Sequence, residues 1–288
     1  MSDFDTYRDF MKSKINNVDL LSATDMARGV PQPAFQKPVP ENALVIDLPV
    51  INSETTPRAD FFECTCSRIS RRKFTDEAMS LFELAFLLWC TQGVKKVIGG
   101  YTKYLKDGSG RNFMRPVAVG GSVNSYETYL AINNVSGIEK GIWRYLPLSH
   151  QIVFINEVEN LPTKISGPFT NPSQNQSYTA RAAVVFFWAC IPYRGEWRYG
   201  EAHKGMLLDL GHISHQLYLA TEALGCGCCA IGAYHQNKAD VLIGVDGDEE
   251  FTVLCASIGH VPPEEKNWLE RLPDAREHPE IYRNMSKP

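Results

Sequence analysis

The sequence predicts an α+β fold carried by one main domain. Segments with helical apolar spacing are interleaved with short segments that alternate or are wholly apolar, as strands do. No composition break after Arg58 divides the chain, and no internal repeat is visible. At 288 residues the chain can bury a sizeable core without disulfides or metals for bulk stability.

Residues 1–60 read as an N-terminal extension. Asp3 to Lys14 fits a short helix, and the proline-rich Pro31 to Asn42 is expected to be extended, either wrapping a surface or serving as a linker. Residues 61–288 form the main domain with a charged C-terminal tail from Pro262. Thr75 is placed to cap a helix with Glu77 and Ala78 in its first turn. Leu81, Leu84, Ala85, Leu87 and Leu88 give its apolar face, and Trp89 and Cys90 extend it towards Gly93. Glu127 to Val135 reads as a strand, and Gly141 to Ile155 as two strands around Pro147. Thr179 to Pro192 ends in a continuous apolar strand buried on both faces. Leu208 to Leu224 is a helix closed by Gly225, and Glu250 to Ile258 a further strand behind an acidic turn.

Charged residues make up 22% of the chain and the formal charge is −4, so nothing global recruits nucleic acid or an acidic membrane. The N-terminus lacks a secretory pattern, and the longest apolar run, Ala182 to Ile191, is too short to span a bilayer. A cytoplasmic protein is expected, with its eight cysteines as thiols.

Three segments carry candidate chemistry. In SRISRRKF (Ser67 to Phe74) an extended backbone turns Arg68, Ser70 and Arg72 to one side and Arg71 to the other. Guanidinium forks beside a hydroxyl suit a phosphate, although composition alone favours a solvated charged turn. In RPVAVGGSVNSYETY (Arg115 to Tyr129), Gly120 and Gly121 permit close backbone approach to a flat ligand, although taken alone the segment reads as a tight turn. In GHISHQLYLATEALGCGCCAIGA (Gly211 to Ala233), His212 and His215 share a helical face, but zinc needs two more ligands that the pattern does not supply. Gly225, Gly227 and Gly232 among small side chains describe a pocket wall, so no metal is expected.

The order of these segments resembles the FMN-dependent nitroreductase superfamily, and within it the SagB-type branch that includes azoline dehydrogenases. SRISRRKFTDEAMSLFELAFLLWCTQG, RPVAVGGSVNSYETY and HKGMLLDLGHISHQLYLATEALGCGCCAIGAY carry the resemblance, which runs from about Arg68 to Gly259. It implies a nitroreductase-like fold, a central mostly antiparallel sheet flanked by helices, and an intimate homodimer with FMN at the subunit interface. Arg68, Ser70 and Arg72 match positions that hold the FMN phosphate, ribityl chain and pyrimidine edge. Val119, Gly120 and Gly121 match the segment that hugs the flavin. Cys229, Ala230, Ile231 and Gly232 match the segment against its dimethylbenzene side. His260 stands where a lysine or arginine often helps hold the phosphate. The sequence departs from the family pattern at Ala118-Val119 and Asn124-Ser125.

The resemblance implies ping-pong hydride or electron transfer to or from a small flat organic substrate, with NAD(P)H a candidate donor. Tyr126, His203 and Lys204 are the candidates for substrate contact or proton transfer, and Tyr193 to Gly205 the candidate lid. The alternatives are an azoline dehydrogenase acting on a peptide-derived heterocycle, and a ligand-binding protein with a degenerate flavin site.

Overall fold

The computed structural model describes residues 3–12, 22–99, 111–170, 176–266 and 277–280. Its centre is a seven-stranded sheet in the order β1-β6-β5-β4-β7-β9-β8. The strands are β1 (Val45–Asp47), β4 (Tyr126–Ile132), β5 (Gly141–Leu146), β6 (Gln151–Asn156), β7 (Val184–Cys190), β8 (Cys226–Ile231) and β9 (Phe251–His260). Every pairing in it is antiparallel. A separate hairpin joins β2 (Lys96–Gly99) and β3 (Arg111–Met114).

Alternation sorts the central strands onto two cores. Phe186, Trp188, Leu130 and Ile132 face one side, where they meet Leu84, Leu87 and Leu88 of helix α3 (Leu81–Gln92) and Ile213 and Leu217 of α6 (His203–Ala223). Val185, Phe187, Tyr129 and Ala131 face the other, against α4 (Leu161–Ser166), Phe169 and α7 (Gln236–Ile243). With both faces covered, the middle strands read as unbroken apolar runs, as VVFFWAC does.

Two local features differ from the sequence expectation, and a third adds to it. Helix α3 starts at Leu81, because Ser80 and Glu83 form a reciprocal capping box, whereas the Thr75 N–H donates to His260 O and Met79 bridges Val135. The long helix α6 begins at His203, ahead of its first strong apolar run. Cys226 to Ile231 is a strand, although its small residues carry little β propensity; pairing with β9 forms it.

From residue 24 onward the N-terminal extension packs on the domain. After helix α1 (Asp3–Met11), residues from Thr24 onward lie on the main body, and β1 is an edge strand beside β6. Phe35 packs on Phe113 with ring centroids 3.9 Å apart, and Leu48 joins the first core. Lys37 sits over the sheet: its N–H donates to Glu127 Oε1 at 2.8 Å, and its ammonium pairs with Glu250 and donates to the Tyr129 hydroxyl. No helix among the described residues is long and apolar enough to cross a membrane.

Candidate active site

The Arg-rich segment follows helix α2 (Phe61–Ser67) and runs beside the outer edge of β8. The Arg71 N–H donates to Cys228 O at 2.9 Å, which fixes the alternation of the side chains around it. Arg71 turns inward, fully buried, and reaches both carboxylate oxygens of Glu222 at 3.3 and 3.2 Å. Its neighbours turn the other way. Arg68 lies over the Tyr218 ring, 5.3 Å from its centroid, and Ser70 Oγ is 2.9 Å from the Tyr218 hydroxyl. That hydroxyl also accepts the Ala230 N–H at 2.8 Å. Tyr218 therefore ties the Arg-Ser face to the edge of β8.

Arg72 is exposed and lines a cleft of about 480 Å³ with Lys73, Phe74, Thr75, Tyr178 and Arg181. The cleft is rich in cationic groups, with Asp76 as its carboxylate. Tyr178 donates to Cys229 Sγ at 3.5 Å, and burial raises its phenol pKa. Ala230 is half-buried and Gly232 exposed; a Cβ at Gly232 would come no closer than 4.0 Å to Leu254. The strand end thus offers small side chains and an open face.

The glycine turn is built at the other end of α6. The Gly120 N–H donates to both Asp209 oxygens at 2.9 and 3.1 Å, and His212 Nδ1 donates to Ala118 O at 3.0 Å. Burial raises the Asp209 carboxyl pKa, while the Gly120 N–H and Arg115 oppose that shift. Gly121 has φ +57°, and a Cβ there would stand 2.0 Å from the Tyr199 hydroxyl. Half-buried Val119 precedes the turn. Replacing Gly121 by alanine is expected to cost about 1–2 kcal/mol from the left-handed backbone, with Tyr199 and Arg198 displaced. Urea unfolding measures it, and a loss below about 0.5 kcal/mol would mean the turn relaxes to another conformation. Asp209 and Tyr218 are nine residues apart on α6, or about 14 Å at the helical rise. One chain thus brings the glycine turn and the Arg-Ser face to one helix, but not to one point.

The remaining candidates fall in separate places. Tyr126 is buried and donates to Met206 O at 3.0 Å; burial, then Cys190 and Asp209, hold its phenol neutral far above neutral pH. His203 Nε2 lies 2.9 Å from Glu196 Oε1 at the exposed start of α6, and Lys204 is half-buried beside it in sequence. Residues Tyr193–Tyr199, expected in a lid, form a packed helix, α5. Its Trp197 is buried and donates to Val30 O, and Arg194 pairs with Glu127. The His260 imidazole faces Glu83 and Cys226. Cys226 and Cys229 have the C-x-x-C spacing, but strand geometry turns them into different cores.

Residues 66–260 match the family model described as the nitroreductase family. The chain belongs to the nitroreductase family. A protein named as a nitroreductase from Methanocaldococcus jannaschii is 24% identical over 193 residues, covering 67% of this chain and 86% of the relative. A solved structure from Anabaena variabilis, also named as a nitroreductase, superposes with TM-score 0.56 at 19% identity, covering 82% of this chain. The nitroreductase-family chain spans 46% of that protein's length. A chain of the Escherichia coli microcin synthetase McbBCD complex, solved with truncated pro-MccB17 bound, superposes with TM-score 0.54 at 16% identity, covering 91% of this chain and 98% of that one. These structural likenesses establish the nitroreductase-like fold.

Sequence reasoning missed Tyr218, Glu222 and Tyr178. Tyr218 and Glu222 carried a usable signal: they stand four apart, on the helix face that continues from His215. Tyr178 had none, because its neighbour Cys229 lies 51 residues away.

Proposed function

We propose that the chain is an FMN-dependent oxidoreductase that moves hydride or electrons to or from a small flat organic substrate, working as a homodimer. The observation that carries this reading is the gathering of Arg68, Ser70 and Tyr218 on the edge of β8, with exposed Arg72 opening onto a cationic cleft. That donor set fits the cofactor: two guanidiniums and a hydroxyl suit a phosphate monoester, and the small residues at Ala230 and Gly232 leave room beside them. FMN, when bound, supplies the hydride chemistry, and the protein supplies binding, orientation and charge.

In this reading Arg68 and Arg72 hold the phosphate and Ser70 the adjoining polar chain. Arg72, the more exposed guanidinium, is also the candidate for positive charge at the polar edge of the ring. Cys229, Ala230, Ile231 and Gly232 form the wall. The His260 ring is already engaged by Glu83 and Cys226, so the phosphate charge falls to the arginines. Val119, Gly120 and Gly121 are proposed to serve the site across the dimer, since their own chain holds them about 14 Å along α6 from Tyr218. Exposed Phe61 and Phe62 on α2, and Leu207 and Leu208 on α6, supply apolar surface for that association. His203 and Lys204, at the exposed start of α6, are the proposed substrate-side polar groups. NAD(P)H is the proposed donor to assay first.

A second reading keeps the cofactor and changes the substrate to an azoline ring in a peptide, as the SagB-type motifs imply. It is supported by those motifs and by the near full-length superposition on the microcin synthetase chain. The test is the visible absorption of freshly purified protein, before and after FMN addition and dialysis. Retained flavin bands support both readings, and turnover of an azoline peptide against a quinone or nitroaromatic separates them. A colourless protein that does not take up FMN overturns both.

A further inference from the structure

The structure brings together a thiol, an imidazole and a carboxylate that the flavin reading leaves unused. Cys226 and His260 are direct cross-strand partners in the β8–β9 ladder, and Glu83 comes from the first turn of α3. Cys226 Sγ lies 3.7 Å from His260 Nδ1 and 3.9 Å from Glu83 Oε1, and His260 Nε2 lies 3.5 Å from Glu83 Oε1. Among the described residues this is the one group of three such side chains whose ligand atoms lie within 4.8 Å of one another.

We propose that Glu83, Cys226 and His260 form a binding site for one zinc ion, with solvent as the fourth ligand. Tetrahedral zinc with its usual bond lengths sets ligand atoms about 3.3–3.6 Å apart. Nδ1 faces Cys226 and Nε2 faces Glu83, so the ring must turn for one nitrogen to serve both; the three ligand atoms, already within 4.8 Å of one another, then close to this range. The second Glu83 oxygen is fixed by the Ser80 N–H at 2.7 Å and the Ser80 hydroxyl at 2.8 Å, which orients Oε1 towards the thiol and the ring. Cys226 is buried, while the Glu83 and His260 side chains keep 18% and 15% exposure, so an ion has a way in. Charge balances as well: binding displaces the thiol proton to solvent, and thiolate plus carboxylate neutralise the dication. No redox change is involved.

The full-length chain, stripped of metal under reducing conditions, is titrated with Zn²⁺ against a chromophoric zinc indicator, with and without saturating FMN. One equivalent is expected, weakened at least about 100-fold by Cys226→Ser and at least about 10-fold by Glu83→Gln. Gln can keep the cap on α3, so the second variant remains informative if the first fails to fold. Cys66→Ser, at an exposed cysteine, is expected to leave the equivalent intact. Co²⁺ in place of zinc is expected to show thiolate-to-metal charge transfer that Cys226→Ser abolishes. Less than one equivalent in the parent chain, or an equivalent that survives both Cys226→Ser and Glu83→Gln, overturns the proposal. Because the readout is metal, its failure is distinct from a failure to bind flavin.

Discussion

Replacing Glu127 by alanine is expected to lower the free energy of unfolding by about 3–5 kcal/mol, the cost of stripping one partner from a buried ion pair. Glu127 lies on β4 with its side chain 1% exposed. Arg194 Nη2 reaches Oε1 at 2.6 Å, the Lys37 N–H donates to the same oxygen at 2.8 Å, and Arg144 Nη1 stands 3.9 Å from Oε2. Arg144 also donates to the carbonyls of Lys37 and Pro38, so the carboxylate is the common anchor of the proline-rich strap and of α5. Without it, two guanidiniums stay buried beside an apolar methyl. The midpoint of thermal unfolding should fall by on the order of 10 °C. Hydrogen exchange should rise together at Lys37 and along Tyr193–Tyr199. A loss below about 1 kcal/mol in urea unfolding would show that water relaxes into the gap and that the network is not a keystone.

Substituting Arg68 or Arg72 by alanine is expected to weaken FMN binding by about 10–100-fold each, the worth of a charge-assisted hydrogen bond. The double substitution should yield protein that loses flavin on dialysis. Arg68 is half-buried against Tyr218 and Arg72 is exposed, so unfolding should change far less than for Glu127. Arg71, between them, faces Glu222 and belongs to the fold, which makes the segment its own control. Flavin dissociation constants from fluorescence quenching decide the matter. If both single variants bind FMN within twofold of the parent, the phosphate sits elsewhere.

The alternation of SRISRRKF was legible because an extended backbone allows one reading, and the buried Arg71 confirms which side is which. The central strands were legible because two-sided burial leaves unbroken apolar runs. What could not be read was set by long-range pairing. Cys226 to Ile231 carries little strand signal of its own until β9 is beside it, and the Cys226–His260–Glu83 group joins three separate elements. The Ser80–Glu83 box was present in the sequence, but Thr75 offered an earlier cap and only the Met79–Val135 bridge removes it. Whether the extension wraps a surface or serves as a linker was not legible, because its anchors, Glu127 and Glu250, are far downstream.

Strand β8 ends the sheet, and an uncovered edge strand can recruit strands from other molecules. Here its outward carbonyl at Cys228 is taken by the Arg71 N–H and its outward N–H at Ala230 by the Tyr218 hydroxyl. The segment proposed to bind the cofactor therefore also blocks strand-to-strand pairing at this edge. The bond at position 71 comes from the backbone, so alanine at Arg68 or Arg72 is expected to leave that edge covered whatever it does to cofactor binding.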